Sequence, residues 1–150
     1  MTKGFRFSLQ RLLDLAEQKE ALAKLELSKA QLLLSLEQER LQELYLTVNG
    51  TRRKVLGLHQ RGTSVAQLRL LNSYLRALSE DIHRQAEVVD QQAEVVSRHR
   101  SRAISLGQER EKYARLRQKR YDAYRQKALK DQQKYLDDIP ASAGGRSHAW

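Results

Sequence analysis

The stretch Gly57-Leu-His-Gln-Arg-Gly62-Thr-Ser64 most constrains what this chain can fold into. Gly62 suits a helix stop, because glycine takes a positive φ without steric cost. Ser64 and Gln67 have the spacing of a capping box, in which the hydroxyl serves an orphan amide and the amide side chain reaches back. A stop followed at once by a start, with a long proline-free stretch on each side, predicts a chain that folds back on itself.

Both flanking stretches repeat apolar residues at alternating steps of three and four. The first seam runs from Leu9 to Val48, and ten of its twelve positions are apolar, the exceptions being Glu20 and Glu37. The second runs from Leu68 to Leu106 with nine of twelve apolar, the exceptions being Gln85, Gln92 and His99. Sustained over several heptads, that spacing is the pattern of a coiled coil. Asn49-Gly50-Thr51 reads as an interruption of the first seam, and Gly50 as a weak point costing about 1 kcal/mol relative to alanine. After Leu106 the apolar repeat stops: the same register reads Arg110, Tyr113, Arg117, Arg120 and Tyr124. Gly107 sits at that change.

The predicted fold is therefore all-α. Two long helices form an antiparallel coiled-coil hairpin with an overhanging basic C-terminal helix end. Helix 1 is expected over about 6–60, the hinge over about 57–64 and helix 2 over about 65–137, within one domain spanning 1–140. Pro140 should end the second helix, since the residue before proline is pushed out of the helical region. Residues 141–150 read as a disordered tail. Pairing about residue 62 leaves the second helix overhanging by roughly 20 residues, or ~30 Å.

Composition narrows the function classes. The net charge is +10, and residues 110–134 alone carry ten basic and three acidic side chains. Such a segment suits an acidic protein surface, nucleic acid or a membrane face, or is simply a solvated helix. Tyr113, Tyr121 and Tyr124 lie among these cations, an arrangement that can track single strands. The chain has no Cys, and the four His are spaced unlike any metal motif, so no metal site is expected. No phosphate-binding glycine loop and no nucleophile–base grouping appears, so neither a cofactor, a small-molecule substrate nor enzymatic activity is expected. No apolar run is long enough to cross a bilayer and no apolar signal core opens the chain, which makes the cytoplasm the default location.

Leu15, Leu22, Leu25, Leu32 and Leu36 fall on the c and f positions of the first heptad, facing away from the second helix. They form either a binding stripe or a set of scattered exposures. Tyr74, at a g position, either covers the core or anchors a contact.

Four stretches resemble the FliJ family of bacterial flagellar export proteins, to which the YscO-type secretion proteins are similar. They are FRFSLQRLLDLAEQKE (5–20), RGTSVAQLRLLNSYLRAL (61–78), EKYARLRQKRYDAYRQKAL (111–129) and DQQKYLDDI (131–139). The resemblance implies a non-enzymatic stalk or adaptor at the flagellar base, cytoplasmic and only peripherally associated with the inner membrane. It implies contact with the hexameric export ATPase through the end bearing the termini, where Phe5, Leu9, Arg117, Arg120, Tyr124 and Arg125 stand. It also implies contact with the export gate through the hinge half, at Leu44, Tyr74 and Leu78, and with export chaperones. Other contact positions of the family fall on Thr51 and Asp81, which differ in character. The alternative is a basic coiled-coil protein that binds nucleic acid through residues 110–134.

Overall fold

A computed structural model describes the backbone of residues 4–147 and the side chains of residues 4–139. Two helices pack against each other as a helical hairpin: α1, Gln10–Arg61, and α2, Val65–Ser147. The described residues include no strand.

Local chemistry sets the bounds. α1 begins four residues later than the spacing predicts, after a turn closed by the Gln10 amide donating to the Phe7 carbonyl at 3.1 Å. The delay frees Phe5 and Phe7 to pack as an irregular lead. α1 then runs through 57–61, so the bend is only Gly62-Thr63-Ser64. Gly62 has φ 81°, where a Cβ is strained. His59 and Arg61 put positive charge on the last turn, where the helix dipole favours it. Ser64 caps α2: the Gln67 amide donates to Ser64 Oγ at 3.3 Å. The reciprocal half of the expected box is different, because Gln67 Oε1 accepts from the Thr63 hydroxyl.

Three expectations are corrected. Asn49-Gly50-Thr51 does not interrupt the seam. α1 is unbroken there, and Thr51 is buried, its hydroxyl donating back to the Thr47 carbonyl at 2.8 Å. α2 does not stop before Pro140 but carries helical backbone to Ser147. Proline lacks one amide donor and crowds the preceding turn, which costs about 3 kcal/mol but disrupts only local bonds of the ladder. Residues 141–147 of the expected disordered tail are thus helical, and 148–150 lie outside the described residues. The heptad register also does not end at Leu106, as described below.

The packing divides into two units, one of residues 21–104 and one joining the residues up to Glu20 with those from Ser105 onward. In the first, Ala23, Ala30, Val48, Leu78, Val96 and Ala103 form the buried seam. Two seam glutamines cross it. Gln92 Nε2 donates to the Ala30 carbonyl at 3.0 Å, reached past a side chain of one carbon. Gln85 Nε2 donates to the Glu37 carbonyl at 3.0 Å and to Glu37 Oε2 at 2.6 Å. A glutamine satisfied only by one partner carbonyl penalises other registers, because slippage would leave its amide unpaired.

Candidate partner-binding surfaces

The second unit holds most of the residues assigned to the ATPase-facing end. Phe7, Leu13, Ala16 and Glu20 are buried in it. Glu20 pairs with Arg110, and the carboxylate is nearly enclosed while the guanidinium is about a third exposed. A Cβ on Gly107 would stand 3.3 Å from Glu20 Oε1. Gly107 is therefore the space that admits the carboxylate, and the seam passes through this polar layer intact.

From there α2 keeps the heptad register with different chemistry. Arg117 Nε donates to Gln10 Oε1 at 3.1 Å, and its guanidinium carbon lies 5.6 Å from the centre of the Phe5 ring. One step on, Arg120 donates to Ser8 Oγ at 2.6 Å and stands 5.5 Å from the centre of the Phe7 ring. Phe5 meets Tyr121 edge-on at 5.3 Å and Tyr124 at a tilt, 5.6 Å between ring centres. Planar guanidinium groups over aromatic faces replace leucine against leucine. So the lead covers α2 as far as Tyr124, and the basic segment is only partly an overhang. The bare portion starts at Arg125, from which every side chain to Ile139 is exposed.

The remaining predicted positions are scattered over the chain. Leu9 is half-buried, and Arg125 is exposed, with no hydrogen bond or ion pair among the described residues. Among the three gate positions, Tyr74 is 48% exposed, Leu44 is half-buried in the seam, and Leu78 is 5% exposed. Leu78 fills a d position facing α1 and presents little surface of its own. Thr51 is likewise buried, and Asp81 is paired with Arg84. Leu15, Leu22, Leu25, Leu32 and Leu36 are all exposed, between 44% and 63%. Among the described residues no group of three or more His, Cys, Asp or Glu is placed to hold a metal, and no helix is long and apolar enough to cross a membrane. His148 lies outside the described residues.

Two features are invisible to apolar spacing alone. Arg117 and Arg120 look seam-breaking, although Phe5 and Phe7 in the lead are the signal for stacked arginines. The span 45–79 contains no Asp or Glu.

A solved structure of a protein assigned as a YscO homologue from Chlamydia trachomatis is 18% identical, with 97% of this chain and 96% of that chain covered and a TM-score of 0.46. No curated protein sequence matches. The model of the family described as flagellar FliJ protein matches residues 5–148, nearly the full length, and the chain belongs to that family.

Proposed function

We propose that the chain is a non-enzymatic stalk or adaptor of the flagellar type III export apparatus that docks on the hexameric export ATPase and promotes its assembly or coupling. The observation that supports this most is the bare helix from Arg125 onward, projecting past a lead that is itself pinned by Arg117 and Arg120. Arg125, Lys127 and Lys130 are exposed there. A charged helix without a partner gains order when several cations make charge-assisted bonds in an acidic or polar ring. Phe5, Leu9, Arg117, Arg120 and Tyr124 then act by fixing the base from which this helix emerges, and Arg125 by direct contact. Tyr74 is the exposed ring available to the export gate, and Leu44, half-buried beside Asp81 and Val88, is the other hinge-half position. The outer leucine stripe takes a third helix, from an export chaperone or another copy. Family membership ties the chain to the flagellum, and the reading places it in the cytoplasm at the flagellar base, peripheral to the inner membrane.

Light scattering of the full chain mixed with its export ATPase tests this. The expected result is a stoichiometric complex that Arg125→Glu with Lys127→Glu and Lys130→Glu abolishes. A complex unaffected by that change contradicts the assignment. Salt-sensitive binding of random DNA through 110–134, with no ATPase complex, establishes the nucleic-acid alternative instead.

A further inference from the structure

The hinge end of the unit spanning 21–104 has a charge pattern that ATPase docking does not use, and the inference drawn from it rests on the inner-membrane placement proposed above. From Tyr45 to Ser79 the sequence has no Asp or Glu, while Arg52, Arg53, Lys54, Arg61, Arg69 and Arg76 all lie within it. All six are exposed, and none forms an ion pair among the described residues. Large apolar side chains are exposed in the same place: Leu56 at 62%, Val65 at 65% and Leu70 at 71%. A shallow groove beside the bend has Gly57, Leu58 and Leu71 along it together with Arg53, Lys54 and Arg61.

We infer that the hinge end docks on a bilayer surface rich in anionic lipids. Two observations favour a bilayer over an acidic protein. First, the cations do not share one face: by heptad position they occupy e, f and g of α1 and b of α2. A helix-in-groove contact would use one face, whereas a bend seated end-on in a charged plane brings all of them near it. Second, large apolar side chains stand among these cations: Leu56 and Leu70 each lie six residues from the bend, about 9 Å along the axis, and Val65 lies next to it, so apolar and basic groups reach a headgroup layer together. A polybasic segment of this kind holds an anionic surface without spanning it.

Vesicle sedimentation of the full chain is the test. Vesicles of phosphatidylcholine with about one third phosphatidylglycerol should bind the chain, and pure phosphatidylcholine should not. Each basic residue near such a surface strengthens binding about five-fold, so Arg53→Glu with Arg61→Glu and Arg69→Glu should weaken partitioning by at least ~100-fold. Because the chain has no Cys, Val65→Cys gives a unique site for an environment-sensitive fluorophore. Its emission should shift to the blue on anionic vesicles, whereas the same label at Leu129→Cys should not respond. Circular dichroism of the triple variant should match the wild type, since all three positions are exposed. The inference is overturned if the chain ignores anionic vesicles at physiological salt, if the triple variant partitions like the wild type, or if the label at Leu129 responds while that at Val65 stays silent. Binding of an acidic protein by this end without any vesicle binding also overturns it.

Discussion

Removing Arg110 should cost more than removing Glu20, although the two form one pair. The Glu20 side chain is 9% exposed and that of Arg110 is 34% exposed. Arg110→Leu leaves a carboxylate in the seam beside Gly107. Breaking a fully buried pair in this way costs about 3–5 kcal/mol. Loss of a partly exposed arginine opens a path for water to the carboxylate, which also keeps a further contact, so about 2 kcal/mol is expected. Glu20→Leu leaves a guanidinium that can swing to solvent on its apolar stem, and the new leucine extends the seam. The cost there should stay below about 1 kcal/mol. With both changed to leucine, an uninterrupted apolar layer should return stability to within about 1 kcal/mol of the wild type. Urea unfolding followed by circular dichroism, run as a double-mutant cycle, measures all three. Equal costs for the two single changes, or an Arg110→Leu chain within about 0.5 kcal/mol of the wild type, would refute the claim that an enclosed carboxylate dominates this layer.

Other perturbations follow from single observations. Gly62→Val forces a β-branched residue to the φ of 81° at the bend and should cost at least about 1–2 kcal/mol, read by the urea midpoint. Gly107→Leu fills the space held by Glu20 Oε1, 3.3 Å from the Cβ position, and should lower stability by about 1–3 kcal/mol in the same assay. Leu78→Ala should cost about 2–4 kcal/mol, because the side chain is 5% exposed. Leu22→Glu with Leu25→Glu, on the outer stripe, should leave helicity intact by circular dichroism while removing any third-helix association seen by light scattering.

Much of the fold was legible in the three-and-four spacing. Every seam position from Leu9 to Val48 and from Leu68 to Leu106 is buried or half-buried, including the polar ones. The reason is geometric: the period decides the facing side, and chemistry decides only what happens there. Gln85, Gln92 and Glu20 illustrate this, each finding a partner across the seam. A binary apolar–polar pattern could not show that Arg117 and Arg120 continue the register, because it counts arginine as polar and ignores its flat face. Nor could it show that Gly107 is room for a carboxylate, since that depends on a residue 87 positions away in sequence. Burial also separated Leu78 from Tyr74, which local sequence places on one surface. The acid-free span from 45 to 79 was visible all along, but only to a search for missing carboxylates and not for dense cations.

ATP turnover of the purified export ATPase, titrated with this chain, tests the central functional claim most directly. The wild-type chain should stimulate turnover. Arg125→Glu with Lys127→Glu and Lys130→Glu should remove the stimulation without shifting thermal unfolding, because these side chains are exposed beyond the lead. Arg53→Glu with Arg61→Glu and Arg69→Glu, at the bend, should stimulate like the wild type. Stimulation that survives in the first variant and disappears in the second would contradict the account.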